Sequence, residues 1–379
     1  MITCTFCGGT GIVFNNKGGT SCSRCKGKGV ITPPPNSSRP KIAIIGEAWG
    51  AEEARLGLPF VGASGRELDR MLEEAEIDKR DCYLTNVFNL QPQPTNHVKN
   101  LGGPRGSSSV PMPEMQRGVY LQDRYFSEVQ RLWKELVELA PNLALCVGNT
   151  PLWALTGSYG IRSLRGTISA ATYGPVGLKV LPTYHPAAVL RDWSIRSVVV
   201  ADFMKAKRQA LFPEVRRPAR RIWIDPSLRD IEKFYEVYWK SATKGSVDIE
   251  TFANRQISCV GFAPSKELAI CIPFIDTRKP GGSYWPTAHQ EKLAWLWVKK
   301  FLQHPDVELE ILGQNFLFDT NWLWTKLGFT PRNFTRDTML KHHAMNPELE
   351  KGLGFLGSIY TDEPAWKLMR KNDSTKRGE

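Results

Sequence analysis

The chain has 379 residues, of which 41% are hydrophobic and 23% charged, a composition typical of a globular protein with two or three domains. Its 50 Lys and Arg residues outnumber 38 Asp and Glu, and the net charge of +12 favours a polyanionic partner, with DNA or RNA first. No apolar run approaches the roughly 18 residues of a membrane span, and the first residues lack a signal-peptide pattern. The sequence therefore predicts a cytoplasmic protein without a membrane partner, whose eight cysteines indicate metal ligands or buried thiols rather than disulfides.

Two C-x-x-C pairs mark the first 31 residues. They are Cys4 with Cys7 and Cys22 with Cys25, and each pair continues into an x-Gly-x-Gly run. Four thiolates on two hairpin turns satisfy tetrahedral zinc, and so small a segment folds mainly because metal binds. We predict a zinc knuckle over residues 1–31, which resembles half of the cysteine-rich domain of DnaJ-type co-chaperones. Whether it contacts phosphate or is only a structural clip stays open.

Composition also divides the rest of the chain. A Pro-rich linker over residues 32–40 precedes an α/β segment over residues 41–212. A basic linker over residues 213–221 leads to a second α/β segment over residues 222–366. The remaining residues, 367–379, are polar and basic, and we expect them to be disordered.

Strands and helices alternate in the first α/β segment, which predicts a parallel sheet with helices on both faces. The predicted strands are residues 41–46, 82–88, 143–147 and 180–184. Residues 94–118 interrupt the pattern and are rich in Pro, Gly and Ser, so we expect a mobile surface insertion.

Short motifs follow the predicted strands at their carboxyl ends, where ligands bind in open α/β sheets. In chain order they are Gly-Glu-Ala-Trp-Gly at 46–50, Leu-Pro-Phe-Val-Gly at 58–62, Thr-Asn at 85–86 and Tyr-His-Pro at 184–186. In this order and spacing they resemble the uracil-DNA glycosylase superfamily, most of all its families 4 and 5, over about residues 41–212. The resemblance implies a three-layer α/β fold with a parallel sheet and hydrolysis of the N-glycosidic bond of uracil in DNA.

The resemblance also implies roles for single residues. His185 would donate a hydrogen bond to the departing uracil anion, and Glu47 would lie near the attacking water. Asn86 would read the uracil edge, Phe60 would stack on the base, and the Gly46 backbone would approach it. The residues also allow plainer interpretations: Glu47 could cap a helix, His185 could be structural, and a degenerate pocket could bind DNA without cleaving it.

Two departures from the family pattern affect the expected cofactor. The family usually has Pro where this chain has Trp49, and no cysteine follows Thr85-Asn86, where the family often has one. Many family 4 enzymes hold an iron–sulfur cluster with four cysteines. Because Cys82 and Cys146 lie in apolar strand contexts, we expect core thiols and no iron–sulfur cluster, with the zinc knuckle in its place.

A carboxylate pattern marks the second α/β segment. Asp248 and Glu250, at i and i+2 of a predicted strand, face the same side, and Asn315 and Asp319 lie four apart on a predicted helix. Such carboxylates suit two divalent cations that cleave phosphodiesters. An isolated Asp-x-Glu indicates only a solvated strand face. The two motifs in this order resemble the 3′–5′ exonuclease domain of family A DNA polymerases, which has an RNase-H-like fold.

That resemblance implies that Asp248, Glu250 and Asp319 bind Mg²⁺ or Mn²⁺. Residues 335–366 look especially like bacteriophage polymerases, some of which carry a glycosylase-like domain ahead of the exonuclease. The family's last motif, Tyr-x-x-x-Asp, has no match after Trp366. We therefore expect a partial RNase-H-like domain that is weak or inactive unless a separately encoded polymerase fragment completes it.

The sequence thus predicts an α/β, DNA-acting phage replication or repair protein. Its parts would be a zinc knuckle, a glycosylase-like domain and a partial exonuclease-like domain, encoded by the front piece of a split or intron-interrupted phage polymerase gene. Three functions stay open: a uracil-DNA glycosylase, a non-catalytic DNA-binding module of a polymerase, and a metal-dependent exonuclease.

Overall fold

The computed structural model describes four short N-terminal strands and residues 41–253, 256–303 and 309–365. The N-terminal strands are β1 (Ile2–Thr3), β2 (Ile12–Asn15), β3 (Gly18–Ser21) and β4 (Val30–Ile31). β1 pairs with β4 and β2 with β3, both antiparallel. The predicted zinc ligands Cys4, Cys7, Cys22 and Cys25 and the predicted tail, 367–379, lie outside the described residues.

The chain forms two compact units. The first unit runs to Arg216 and takes up the chain again from Gly354, and the second comprises Arg217–Leu353. The residues from 354 to 365 follow the second unit in sequence yet pack in the first. None of the helices in the described ranges is both long and apolar enough to cross a membrane.

A five-stranded sheet forms the centre of the first unit. Its strands are β5 (Ile42–Ala48), β6 (Cys82–Phe88), β9 (Leu143–Val147), β10 (Ser169–Ala170) and β11 (Lys179–Thr183). The order is β10-β11-β9-β5-β6, with only β10 antiparallel, and the short hairpin of β7 (Gly102–Gly103) and β8 (Tyr120–Leu121) stands apart from it. The predicted parallel α/β sheet is therefore confirmed.

Helices cover both faces of this sheet. They are α1 (Ala51–Leu56), α2 (Ala63–Glu74), α3 (Phe126–Leu139), α4 (Asn149–Thr156), α5 (Ile161–Leu164), α6 (Pro186–Val189) and α7 (Arg196–Gln209). Side chains of β5 alternate between two cores: Ile42 and Ile44 pack on one face, and Ala43 and Ile45 on the other. The three-layer arrangement follows from this alternation, because both faces of each central strand are apolar.

A six-stranded sheet forms the second unit. Its strands are β12 (Arg221–Trp223), β13 (Lys244–Phe252), β14 (Gln256–Ala263), β15 (Leu268–Pro273), β16 (Glu310–Gly313) and β17 (Phe334–Asp337). The order is β12-β15-β14-β13-β16-β17. β13, β14 and β15 form an antiparallel meander, while β16 and β17 continue the sheet in parallel. This mixed sheet agrees with the second α/β segment that the sequence predicts.

The helices of the second unit are α8 (Leu228–Phe234), which continues as a π-helical turn (Tyr235–Trp239), α9 (Ala288–Gln303), α10 (Phe316–Leu327) and α11 (Thr338–Met345). One detail of the sequence interpretation was wrong. Asn315 is not in a helix with Asp319 but precedes α10 in a left-handed conformation, with φ 54°. Its backbone N–H, like that of Phe316, donates to the carboxylate of Asp337, which fixes the start of α10.

The insertion over residues 94–118 is ordered, contrary to the expectation of a mobile surface loop. Four of its apolar side chains are buried in the core beside α3, namely Val98, Leu101, Met112 and Met115. Turn residues dominate its composition, but these widely spaced apolar anchors hold it to the sheet. The sequence pattern missed them because they follow neither helical nor strand periodicity.

The insertion should therefore contribute to stability. Met115→Ala removes a fully buried side chain and should lower the free energy of unfolding by about 2–5 kcal/mol. Arg117→Ala, at an exposed position two residues on, should change it by less than about 0.5 kcal/mol. Urea denaturation measures the free energy of unfolding of both variants. Equal values for Met115→Ala and Arg117→Ala would mean that the insertion is detached in solution.

Candidate active site of the first unit

Four loops at the carboxyl ends of parallel strands enclose one cavity of about 810 Å³ in the first unit. Its lining includes Glu47, Phe60, Asn86 and His185, which are separated by up to 138 positions along the chain. Parallel pairing brings them together, because β5 and β6 pair from Ile42 with Cys82 to Ala48 with Phe88. A cavity of this size accommodates a nucleotide base.

His185 follows β11 and forms the N-cap of α6. Its Nδ1 accepts a hydrogen bond from the Ala187 N–H at 3.1 Å, so the proton of the neutral ring is on Nε2. Burial lowers the pKa of His185 to about 4, and the positive charge of Arg191 acts in the same direction. The imidazole is therefore neutral at pH 7 and offers one N–H donor.

Glu47 lies on β5 and lines the cavity. Its carboxylate accepts a hydrogen bond from the Thr150 hydroxyl at 2.6 Å. Burial raises the pKa of Glu47, and the Thr150 hydrogen bond opposes the shift only in part. A carboxylate in such a dry position with one protein donor keeps lone pairs available for water.

Phe60 and Asn86 lie against the Gly46 backbone. A β-carbon at Gly46 would lie 2.1 Å from Asn86 Oδ1 and 2.7 Å from Phe60 Cζ, so only glycine fits there. Phe60 has a φ of 55°, a left-handed conformation that non-glycine residues adopt at a cost and mostly where the surroundings impose it. Its ring stacks towards His185, with ring centroids 6.5 Å apart.

The side-chain amide of Asn86 has no partner within the described part of the chain, although the residue is only 3% exposed. Its backbone carbonyl is held by the Arg131 guanidinium at 2.8 Å. A buried amide without protein partners is costly unless a ligand or water completes it. The amide lies at the cavity wall, where it can bind a polar edge of a ligand.

Glu53 was not singled out from the sequence, yet it connects two of the loops. Its buried carboxylate accepts hydrogen bonds from the backbone N–H groups of Gly50, Val61 and Gly62, at 3.1, 3.1 and 2.9 Å. Its place at the start of α1 looks like that of an ordinary helix-terminal acid.

Trp49 and the insertion complete the walls. Trp49 lines the cavity and is 6% exposed, and the cavity remains open beside it. Asn96, His97 and Gln116 of the insertion line the same cavity. The insertion therefore shapes the site as well as the core.

The predicted exonuclease residues lie in the second unit. Asp319 Oδ1 accepts a hydrogen bond from the Ile249 N–H at 2.8 Å, which places Asp319 beside the strand that carries Asp248 and Glu250. Burial raises the pKa of Asp319 to about 7, and the charges of Asp248 and Asp337 add to the shift. Within the ranges that the structure describes, no three His, Cys, Asp or Glu side chains are close enough to hold a metal ion.

The cysteines of the first unit's sheet do not fit a shared metal cluster. Cys82 packs in the core on one face of the sheet and Cys146 in the core on the other, so the sheet separates them. Burial raises the pKa of both thiols, that of Cys82 to about 12, which disfavours the thiolate that a metal needs.

Residues 34–213 match the family model of the uracil DNA glycosylase superfamily. Over 173 residues the chain is 30% identical to the type-4 uracil-DNA glycosylase of Thermotoga maritima, an alignment that covers 44% of this chain and 76% of that protein. The chain belongs to the uracil-DNA glycosylase superfamily. The family alignment ends at residue 213, close to Arg216, where the chain leaves the first unit.

Outside the glycosylase family, the chain is similar to a phage DNA polymerase. It is 23% identical over 333 residues to the DNA polymerase of Bacillus phage SP01. This alignment covers 81% of this chain and 33% of the polymerase. The chain thus spans about a third of that relative. Among solved structures, Escherichia coli RNase D, an exoribonuclease, aligns at 13% identity with a TM-score of 0.27, over 37% of this chain and 33% of RNase D.

The neutral state of His185 has a measurable pH signature. In the fold its pKa is about 4, whereas an unfolded histidine titrates near about 6.5, so between these values only the unfolded state binds the proton. The free energy of unfolding should therefore fall as the pH is lowered from about 6.5 to 4, by about 2–3 kcal/mol.

Two-dimensional NMR of the imidazoles checks this, with His185→Gln to assign the resonance. We expect His185 to keep the Nε2–H tautomer and not to titrate above pH 5. Titration of His185 near pH 6.5 would show that the ring is solvated.

Proposed function

We propose that the first unit excises uracil from DNA by hydrolysing the N-glycosidic bond. The observation that carries the proposal is the neutral His185, whose only N–H is on Nε2, in one cavity with the unpartnered amide of Asn86. A departing uracil is an anion, and a fixed donor near its oxygen stabilises the charge as it develops.

The side chains can be given roles that balance the reaction. The base leaves the helical stack and enters the cavity, where Phe60 contacts its face. The Asn86 amide offers one acceptor and two donors, which match the N3–H and O4 of uracil. The C1′–N1 bond breaks, and the negative charge on the uracil ring is stabilised by the His185 donor.

Glu47 supports the other half of the reaction. Water must attack C1′ from the side opposite the leaving base, and it must be oriented and lose a proton. The Glu47 carboxylate, held by Thr150, can accept a hydrogen bond from that water and then its proton. Because burial raises the pKa of Glu47, activity should fall on the acid side at a higher pH than for an ordinary glutamate.

Single-turnover excision from an oligonucleotide with one uracil, followed by alkaline cleavage of the abasic site, tests these roles. His185→Ala should lower the rate by about 10²–10³-fold, the usual effect of removing one such donor. Glu47→Gln should lower it by about 10²–10⁴-fold and remove the acid limb of the pH–rate profile. The matched controls His289→Ala and Glu52→Gln change exposed residues and should retain the parent rate.

The outcome also separates catalysis from binding. If the parent protein binds the uracil oligonucleotide but leaves the uracil in place over hours, the glycosylase proposal is wrong and a DNA-binding module is favoured. Equal losses in Glu47→Gln and Glu52→Gln would contradict the role of Glu47.

We propose a second, metal-dependent function for the second unit: binding of Mg²⁺ or Mn²⁺ in the manner of a 3′–5′ exonuclease. The contact between Asp319 and the Ile249 N–H favours it, because it brings the Asp319 carboxylate beside the strand that carries Asp248 and Glu250. The raised pKa of Asp319 reflects a buried negative charge without a countercharge, which a divalent cation would provide. A partner polypeptide that adds another carboxylate remains part of this proposal.

Metal binding can be measured without nuclease activity. At pH 7.5, millimolar Mn²⁺ should raise the melting temperature of the parent by a few degrees and leave that of Asp319→Asn unchanged. Asp69→Asn, at an exposed carboxylate of the first unit, serves as the control and should respond like the parent. The parent protein alone should shorten a 5′-labelled oligonucleotide no faster than the Asp248→Ala variant does. Equal stabilisation of the parent and Asp319→Asn would rule out this site.

A further inference from the structure

Helix α12 (Leu353–Tyr360) follows the entire second unit in sequence, but from Gly354 onwards it packs in the first unit. Leu356 and Ser358 are its buried side chains, each 5% exposed. The family alignment stops at residue 213, so this helix lies outside the part of the chain that the glycosylase family accounts for.

Two buried cations of the first unit bind this helix. Arg165, 1% exposed, donates from Nη1 to the Ser358 hydroxyl at 2.8 Å, and its guanidinium lies 5.3 Å from the centre of the Phe355 ring. Lys205, also 1% exposed, donates to the carbonyls of Ser358 and Thr361, the latter at 2.7 Å. A cation on the last carbonyls of a helix satisfies acceptors that have no partner within it.

Arg165 is also connected by hydrogen bonds to β11, the strand that precedes the candidate catalytic His185. Arg165 forms a two-bond ion pair with the buried Asp202. Asp202 Oδ2 also accepts a hydrogen bond from the Thr183 hydroxyl at 2.7 Å. Thr183 is the last residue of β11, two positions before His185. A continuous set of buried polar contacts therefore joins Ser358 to the end of β11.

Close packing at Gly166 seals this connection. Gly166 has a φ of 69°, and a β-carbon there would lie 2.7 Å from Asp202 Oδ1 and 2.8 Å from the Ser358 carbonyl oxygen. Its N–H donates to the Pro182 carbonyl of β11 and its carbonyl accepts from Lys205, both at 2.8 Å. The backbone of α12, the ion pair and β11 thus meet at one glycine.

We infer that α12 is an integral part of the glycosylase unit and that it positions the strand end that carries His185. The glycosylase unit is then discontinuous in sequence, and the whole second unit is inserted into it. Ser358 is a positioning residue in this arrangement, because it acts on His185 only through Arg165, Asp202 and Thr183. The positioning of His185 rests on the proposed glycosylase function, whereas the docking of α12 does not.

The energetic reason is the cost of buried charge. Without α12, Lys205 keeps one of its three carbonyl acceptors, and Arg165 loses its serine partner. A buried cation that loses its partners recruits water or moves, and either change disturbs the ion pair that holds Thr183.

The test uses the full chain with a specific protease site inserted at Gly352, which has open space around it. After cleavage, the fragment that contains α12 should co-elute with the rest of the protein in size-exclusion chromatography. Ser358→Leu should release it, since the buried position cannot accept the larger side chain. Ser197→Leu, the same change at an exposed position of α7, should retain it.

The effect of α12 on the position of His185 is measured in the uncleaved protein. Ser358→Leu should lower kcat for uracil excision at least 10-fold with less than a 3-fold change in KM, and it should shift the His185 imidazole resonances. Hydrogen exchange at Lys179–Thr183 should rise at least 10-fold. Ser358→Thr, which keeps the hydroxyl, should recover most of the rate, and Ser197→Leu should match the parent.

Two results would overturn the inference. Release of the fragment from the cleaved parent would show that α12 is not docked. Release from Ser358→Leu with parental hydrogen exchange and His185 resonances would show that α12 does not position β11. If the parent itself removes no uracil, the proposed function fails, while fragment retention and hydrogen exchange still decide the inference.

Discussion

Parallel pairing of β5 with strands on both of its edges is the constraint on which the candidate active site depends. β5 pairs with β6 on one side and β9 on the other, so the loops that follow these strands emerge at one edge of the sheet. Gly46, near the end of β5, lies against both Asn86 and Phe60, and a β-carbon there would displace their side chains. The cavity therefore follows from strand register together with one close backbone approach.

The polar groups of the first unit fall into two sets with different roles. Around the cavity, Glu47 and Asn86 are under-satisfied by the protein, which suits groups that must bind water or a base. In the second set, Arg165, Asp202 and Lys205 are buried and hydrogen-bonded to protein groups, which suits a fixed scaffold. Thr183 joins the two sets, because its hydroxyl belongs to the scaffold while its chain continues to His185.

The match to a phage polymerase over 81% of this chain agrees with a glycosylase unit and a mixed-sheet unit in one polypeptide. The docking of α12 adds a structural consequence: the chain leaves the first unit at Arg216 and returns to it at Gly354. Both ends of the second unit are therefore tied to the glycosylase unit by covalent connection. A discontinuous unit of this kind can fold completely only after the intervening residues have been synthesised.

The sequence by itself determined the local features of this protein. Apolar runs of four to seven residues predict the central strands, and the motifs at their carboxyl ends predict Glu47, Phe60, Asn86 and His185 as site residues, because periodicity and turn chemistry are local properties. Tertiary structure decided what depends on distant contacts. The anchoring of Met115, the Glu53 bridge between two loops, the tautomer of His185 and the return of α12 each require partners far away in sequence, and no local pattern encodes such partners.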